Sequence, residues 1–134
     1  MFLPICTDRP IKTSMLKIAI PVLHVSSSVA AEEFYSKQLG FSQDFAYRPF
    51  SRLDPCYMGF SRDEARFHVS SFSGEAVAGG VVYLLVDDVD SIHKELISKG
   101  VTIDTGPINQ DWGNREMYVK DADGNCIRFT QELE

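Results

Sequence analysis

The pattern of apolar and polar positions at the start of the chain predicts a strand, a helix and a second strand. Residues 17–25, KIAIPVLHV, alternate weakly and are rich in branched side chains, which is typical of a strand. Residues 26–40 predict a helix, because serines supply an N-cap, two glutamates lie early and Gly40 supplies a C-terminal stop. Residues 41–48, FSQDFAYR, predict the next strand.

The middle of the chain predicts three further strands and a second helix. Residues 55–60 and 64–72 carry strand patterns, and the residues SRDE between them predict a turn. Residues 80–86, GVVYLLV, form another branched apolar run. Residues 87–100 predict a helix with Asp88 as its cap. The predicted apolar face of this helix consists of Val89, Ile92, Leu96 and Ile97.

The C-terminal part predicts a strand that starts at 101–105, VTIDT, and then a hairpin. The strands REMYVKD and NCIRFTQE flank the turn DADGN at 121–125. Aspartate, glycine and asparagine are turn residues that tolerate the positive φ angles of a tight connection between strands.

The same order of elements therefore occurs twice, which predicts two βαβββ modules offset by about 60 residues. The matching positions are Val25 with Val86, Gly40 with Gly100, and Arg66-Phe67 with Arg128-Phe129. We expect residues 15–134 to form a single domain with modules at about 15–75 and 79–134, and residues 1–14 to form a loose N-terminal arm.

The two modules predict an α+β fold with helices on one face of a curved mixed sheet and a concave cup on the other. Side chains alternate between the two faces along each strand. The side chains predicted to pack towards the helices are Phe67, Val69, Ile127 and Phe129. The side chains predicted to face the cup are Arg66, His68, Ser70, Cys126, Arg128 and Thr130.

Composition narrows the class of protein. No stretch approaches the roughly 18 apolar residues of a membrane span, and the first residues lack the basic region of a signal peptide. The 3 cysteines are widely spaced, which indicates reduced thiols in the cytoplasm. The net charge of −6 disfavours nucleic acid as a partner and suits a cationic ligand.

Trp112 is the only tryptophan, and it lies among polar residues in NQDWGNRE. Such a residue either stands out from a loop as a flat wall, with Gly113 leaving room beside it, or lies buried at the base of the loop. Polar neighbours on both sides favour the exposed position. Arg115 and Glu116 either pair with neighbours across the hairpin, or Arg115 orients a ligand carbonyl. Carboxylate partners are expected for Arg66 and Arg128.

The paired modules, with FYSKQLGF after the first strand and DADGNCIRF near the end, resemble the vicinal oxygen chelate superfamily. This superfamily includes glyoxalase I, extradiol dioxygenases, fosfomycin resistance proteins and bleomycin resistance proteins. The resemblance places its metal-ligand positions at Ile20, Val81, Arg66 and Arg128, with His68 replacing Arg66 if the register is off by two. Aliphatic side chains and arginine cannot bind a divalent cation, and one imidazole does not make a site. We therefore expect no metal and no cofactor.

Two segments most resemble the bleomycin resistance proteins, namely PVLHVSSSVAAEEFYSKQLGFSQDF and DWGNREMYVKDADGNCIRF. The resemblance implies a non-enzymatic homodimer that sequesters a cationic glycopeptide antibiotic in clefts between its subunits. It also implies that the first strand crosses to the partner subunit with a hinge at Pro21. A simple edge strand explains that proline equally well.

The same resemblance implies that the flat aromatic part of the ligand stacks between Trp112 and Phe50, while Tyr47 or Tyr57 remain alternatives to Phe50. The predicted ligand-binding residues are Asp44, Phe45, Phe50, Trp112, Gly113 and Arg115. An enzyme of this superfamily acting on a small metabolite, or a binder of another planar natural product, remains the alternative function.

Overall fold

The computed structural model describes residues 15–134, so the arm expected at 1–14 lies outside the described residues. The first module contains β1 (Val22–His24), α1 (Ser28–Glu32), a π-helical segment (Glu33–Gln38), β2 (Ser42–Tyr47), β3 (Tyr57–Arg62) and β4 (Ala65–Ser70). The second module contains β5 (Val81–Leu85), α2 (Val89–Ser98), β6 (Thr105–Asn109), β7 (Asn114–Lys120) and β8 (Cys126–Glu132).

The strands form two four-stranded mixed sheets, with the orders β1-β4-β3-β2 and β5-β8-β7-β6. In each sheet the first strand of the module pairs in parallel with the last, and the other pairings are antiparallel. The predicted α+β fold with a repeated βαβββ order is therefore confirmed. The predicted curved sheet is divided into one sheet for each module.

Three predicted elements differ in length or packing. The strand predicted at 17–25 is limited to β1, because Pro21 has no N–H and contributes only its carbonyl, which accepts from the His68 N–H at 2.9 Å. The strand predicted from 101–105 begins only at its last residue. Ile97, predicted on the apolar face of α2, is 53% exposed. Asp88 caps α2 as predicted, accepting from the Ser91 N–H.

The register between the modules corrects one predicted correspondence. The Val25 N–H donates to the Ser70 carbonyl, and the Val86 N–H donates to the Thr130 carbonyl. His68 is therefore equivalent to Arg128, and the predicted match of Arg66 with Arg128 is wrong by two residues. The error arose because residues 63–64 join β3 to β4, whereas the longer segment 121–125 joins β7 to β8.

One apolar core serves both modules. Strand alternation correctly predicted its members on β4 and β8, which are Phe67, Val69, Ile127 and Phe129. We define the cup face of each sheet as the face opposite this core. On the first sheet it carries Tyr57, Gly59, Ser61, Arg66, His68 and Ser70. On the second sheet it carries Tyr83, Asn114, Glu116, Tyr118, Cys126, Arg128 and Thr130.

Asn125, in the predicted DADGN turn, joins the two modules through its fully buried side-chain amide. Its Oδ1 accepts from the backbone N–H groups of Gly79 and Gly80 at 3.0 and 2.9 Å. Its Nδ2 donates to the His24 carbonyl at 2.7 Å and to the Asp121 carboxylate at 2.9 Å. One side chain thus connects the end of β1, the segment before β5 and the turn before β8.

Two further contacts cross between the modules. The Tyr35 hydroxyl, on the π-helical segment, donates to Asp121 Oδ2 at 2.7 Å. Arg62, at the end of β3, forms a bidentate ion pair with Glu95 of α2 at 2.9 and 2.8 Å. The side-chain hydrogen bond from Arg62 holds the pKa of Glu95 below its usual range. The ion pair holds α2 against the first sheet, and the Tyr35 hydrogen bond holds the π-helical segment against the turn before β8.

We expect Asn125→Ala to lower the free energy of unfolding by about 3 kcal/mol or more, since each buried group left without a partner costs about 1–3 kcal/mol. Equilibrium denaturation in urea measures this change. The matched control is Asp123→Ala in the same turn, which loses one exposed hydrogen bond to the Ser26 N–H and should cost about 1 kcal/mol or less. Equal losses in the two variants would show that Asn125 has no special structural role.

Candidate functional site

Trp112 stands on a short turn before β7 and is 63% exposed. The turn is closed by the Gln110 N–H, which donates to the Asn114 carbonyl at 2.7 Å, and by the Gly113 N–H, which donates to the Gln110 carbonyl at 3.2 Å. Gly113 has a φ of +92°, a conformation that strongly favours glycine. The buried position considered for Trp112 is therefore not adopted, and the indole presents a flat surface to the outside.

A buried carboxylate holds the Trp112 indole in place. Glu116 is only 1% exposed, and its Oε2 accepts from Trp112 Nε1 at 3.0 Å and from Asn114 Nδ2 at 3.3 Å. Its Oε1 accepts from the Tyr118 hydroxyl at 2.6 Å. Asn114 Nδ2 also donates to the Tyr83 hydroxyl at 3.1 Å. The cup face of the second module is thus a connected polar network below an exposed aromatic ring.

The charge of Glu116 is stabilised inside this network. Burial alone would raise its pKa, but hydrogen bonds from Tyr118, Trp112 and Asn114 outweigh burial and lower the pKa below its usual range. The positive charge of Arg128 acts in the same direction. Glu116 is therefore ionised at neutral pH and remains an acceptor for the indole N–H.

Arg115 lies on the opposite face of β7. Its guanidinium forms a bidentate ion pair with Asp90 of α2 at 2.9 and 3.0 Å, and its Nη1 donates to Asn109 Oδ1 at 3.0 Å. Successive residues of a strand point to opposite faces, so Arg115 and Glu116 cannot both line the cup face. The structure does not bring the predicted ligand residue Arg115 together with Trp112.

Phe45 dominates the cup face of the first module and is 43% exposed. Its ring lies over Gly59, where a Cβ atom would overlap with the Phe45 ring. It stacks on Tyr57 with ring centroids 6.2 Å apart, and it meets His68 edge-on at 5.2 Å. A register shift between Gln43 and Phe45 is typical of a β-bulge.

Asp44 lies inside this bulge, and its Oδ1 accepts from the Ser61 hydroxyl at 2.9 Å. Ser61 and Gly59 lie on the same face of β3. The bulge therefore places the side chains of Asp44 and Phe45 on one face of β2, although successive residues of a regular strand point to opposite faces. Asp44 is exposed. The two predicted cleft residues of the first module therefore lie together and are accessible.

Phe50 lies after β2 and is 52% exposed, with the Arg52 guanidinium 5.0 Å from its ring centroid. The two aromatic alternatives to Phe50 have ring partners within the chain. Tyr47 stacks on Phe72 with centroids 6.4 Å apart, and Tyr57 stacks on Phe45. Phe50 has no such aromatic partner among the described residues and is half exposed, which favours it as a stacking residue.

Two half-buried groups occupy equivalent positions in the two modules. His68 Nδ1 and the Tyr57 hydroxyl are 2.9 Å apart, and burial followed by the charge of Arg66 lowers the pKa of His68. Arg128 instead lies with its guanidinium 4.7 Å from the Tyr118 ring centroid. Within residues 15–134, neither Arg66 nor Arg128 forms the carboxylate ion pair that we expected.

The residues at the metal positions that the resemblance implied are Ile20, Val81, His68 and Arg128, once the register is corrected. His68 supplies the only metal-ligating side chain among these four. Across the described part of the chain, no three His, Cys, Asp or Glu side chains are close enough together to hold a metal ion. The donor set therefore does not fit the metal of the superfamily's enzymes.

A cavity of about 590 Å³ opens elsewhere, beside the β3–β4 hairpin. It is lined mainly by the hairpin residues 62–65 and by residues 84–88 before α2. None of the predicted ligand-binding residues lines it. The aromatic faces and this cavity are therefore separate features. The exposed rings are better suited than the cavity to bind a flat ligand, because flat rings stack on one another.

The two aromatic faces belong to different modules. Trp112 lies on the second sheet, whereas Phe45 and Phe50 lie on or beside the first. No hydrogen bond or ring contact among the described residues joins the two faces. Sequence reasoning missed Tyr83 and Tyr118, which both pair with Arg128 of β8 and therefore lie on the cup face.

The family model described as glyoxalase superfamily protein matches residues 9–134. The chain belongs to the glyoxalase superfamily. No curated protein matches it. Within residues 15–134, no helix is both long and apolar enough to cross a membrane.

Several solved structures share the fold of this superfamily member. The bleomycin-binding protein of bleomycin-producing Streptomyces verticillus, complexed with copper(II)-bleomycin, is 29% identical over 87% of this chain and 98% of its own, with a TM-score of 0.66. An antibiotic-binding protein from Streptomyces sp. CB03234 is 26% identical over 89% of this chain and 99% of its own, with a TM-score of 0.65. A superfamily member from Sphaerobacter thermophilus DSM 20745 is 24% identical over 89% of this chain and 100% of its own, with a TM-score of 0.69. At this identity the similarity supports the fold only.

We expect Glu116→Gln to loosen the Trp112 indole, because an amide cannot accept from three donors as the carboxylate does. The fluorescence anisotropy of the only tryptophan should fall, and the free energy of unfolding should drop by about 1–3 kcal/mol. The matched control is Glu64→Gln, exposed in the turn between β3 and β4 of the first module, which should leave both quantities unchanged. Unchanged anisotropy in Glu116→Gln would contradict the anchoring role.

The lowered pKa of Glu116 also predicts a pH dependence. Its contribution to stability is fully present above the unfolded-state pKa of about 4.3 and is lost as the pH falls through the lower folded-state pKa. The stability difference between the wild type and Glu116→Gln should therefore shrink as the pH falls from about 6 to about 3. Urea denaturation at several pH values measures it, and a difference independent of pH would exclude this linkage.

Proposed function

We propose that this protein is a metal-independent antibiotic-binding protein that sequesters bleomycin-type cationic glycopeptides. The observation that carries the proposal is the exposed, carboxylate-anchored Trp112, together with exposed Phe45 and Phe50 on the other module. A flat ligand that stacks on an aromatic ring gains about 0.5–1.5 kcal/mol beyond the area it buries. An anchored ring also loses little freedom on binding, which favours affinity.

The ligand-binding clefts form between two copies of the chain in this proposal. Among residues 15–134, no hydrogen bond or ring contact joins the two aromatic faces, and a second copy would set the Phe45 and Phe50 face against Trp112. Exposed Met15, Leu16 and Ile18 precede the edge strand β1. These apolar side chains support an exchanged first strand with its hinge at Pro21, because apolar side chains exposed together mark an interaction surface.

The acidic chain suits a cationic drug. A net charge of −6 raises the encounter rate with a positively charged ligand, and Asp44 lies beside the aromatic ring of Phe45. The proposed setting is the cytoplasm, where Cys56 and Cys126 remain free thiols. The proposed organisation is a single domain at 15–134.

One alternative is a planar natural product other than bleomycin. The 26% identity to an antibiotic-binding protein of Streptomyces sp. CB03234 supports antibiotic binding without favouring either drug. A superfamily enzyme acting on a small metabolite is the other alternative. Metal analysis of the purified protein distinguishes a metal-dependent enzyme from the proposed binding protein. Stoichiometric zinc, nickel, iron or manganese would contradict metal-independent binding.

The first test is a titration of bleomycin, with and without bound copper, into the wild-type protein. We expect saturable quenching of Trp112 fluorescence at about one drug molecule per subunit. Calorimetry measures the same affinity without the optical reporter, so it also serves the Trp112→Ala variant. Trp112→Ala and Phe50→Ala should each weaken binding about tenfold, and Trp112→Phe should weaken it less because a flat ring remains.

The matched control is Ile97→Ala, which removes a similarly exposed apolar side chain from α2 and should leave the affinity unchanged. Absence of any binding at tens of micromolar bleomycin would exclude this drug as the ligand. Sedimentation measures the oligomeric state in parallel, and a monomer that binds bleomycin would contradict the clefts between subunits.

A further inference from the structure

Two buried polar atoms on the cup face of the second sheet have no hydrogen-bond partner among the described residues. Among the described residues, three buried side-chain atoms lack a hydrogen-bond partner, and two of them are Arg128 Nε and Thr130 Oγ1 on β8. These residues are two apart on one strand, so they share the cup face. A buried donor without an acceptor costs free energy, and such groups are rare in folded proteins.

The equivalent position of the first module has its polar group satisfied. His68 Nδ1 lies 2.9 Å from the Tyr57 hydroxyl, so that module holds its own hydrogen bond. In the second module, Tyr118 donates its hydroxyl to Glu116 and offers Arg128 only the face of its ring. Of the two equivalent residues, His68 therefore has a hydrogen-bond partner, whereas the Nε of Arg128 has no acceptor.

Arg128 is held in position although its Nε has no acceptor. Its guanidinium packs 4.7 Å from the Tyr118 ring centroid, and the Tyr118 hydroxyl is fixed by a 2.6 Å hydrogen bond to Glu116. The same carboxylate holds the Trp112 indole at 3.0 Å. One buried residue thus orients a flat ring directly and a guanidinium through Tyr118, and both groups belong to the same network on the second sheet.

We propose that Arg128 is a binding residue that donates a hydrogen bond to an acceptor oxygen on the flat ring system that stacks on Trp112. This inference rests on the proposed function and narrows its ligand to a planar ring bearing a carbonyl or carboxylate group. Guanidinium groups donate only and are permanently charged, so the partner must be an acceptor. Glu116 beside Arg128 balances the local charge, so a neutral carbonyl fits as well as a carboxylate.

Three flat probes of equal ring size test the proposal by calorimetry on the full-length protein. They are 2-naphthoate, 2-naphthamide and the 2-naphthylmethylammonium ion. We expect the wild type to prefer one or both oxygen-bearing probes over the ammonium probe, despite the net negative charge of the chain. In Arg128→Met, the affinity for the preferred oxygen-bearing probe should fall about tenfold or more, and the affinity for the ammonium probe should not fall.

Two further variants keep the test decisive. Arg128→Lys retains the charge without the planar fork, so it should give an intermediate affinity for 2-naphthoate. Lys94→Met removes one positive charge from an exposed position on α2, away from the cup faces, and should leave the preference unchanged. If Arg128→Met does not fold, the wild-type preference and the lysine variant still decide the question.

Several results would overturn the proposal. These are a wild-type preference for the ammonium probe, no measurable binding of any probe at millimolar concentration, or an equal loss of all three affinities in Arg128→Met. The outcome is independent of the bleomycin titration. Bleomycin binding without an oxygen preference removes only the role of Arg128, whereas an oxygen preference without bleomycin binding removes only bleomycin as the ligand.

Discussion

The arrangement of the two modules depends on the amide of one buried side chain, Asn125. That amide accepts from two consecutive backbone N–H groups before β5 and donates to the carbonyl at the end of β1. These backbone groups find their hydrogen-bond partner in this side chain, and without it the interior would hold polar groups without hydrogen bonds. This connection joins the end of β1 to the segments that lead into β5 and β8, beside the core that the two sheets share.

A second constraint acts at the site. Glu116 is buried as a charged group, which is costly unless several donors surround it. Trp112, Asn114 and Tyr118 provide those donors, and each is held in place in return. A loop that projects an aromatic ring into solvent would normally leave that ring free to rotate. The buried charge is what makes the exposed ring rigid.

Much of the fold followed from sequence, because periodicity, helix caps and the repeat are local signals. The core positions of β4 and β8 and the exposure of Trp112 were predicted correctly. The equivalence of Arg66 with Arg128 was predicted wrongly. It was counted along the sequence, and the turns that precede β4 and β8 differ in length. Arg115 and Glu116 are adjacent in sequence, and only the pairing of β7 shows which one reaches the cup face. The network around Glu116 depends on contacts between strands that no local pattern reveals.

The two modules repeat one topology but not one chemistry. Where the first sheet carries a histidine paired with a tyrosine, the second carries an arginine packed on a tyrosine ring. Two identical faces would accept an elongated molecule in either of two opposite orientations with equal energy. Two unlike faces remove that degeneracy. A cleft built from them has a direction, so it can distinguish the head of a guest molecule from its tail.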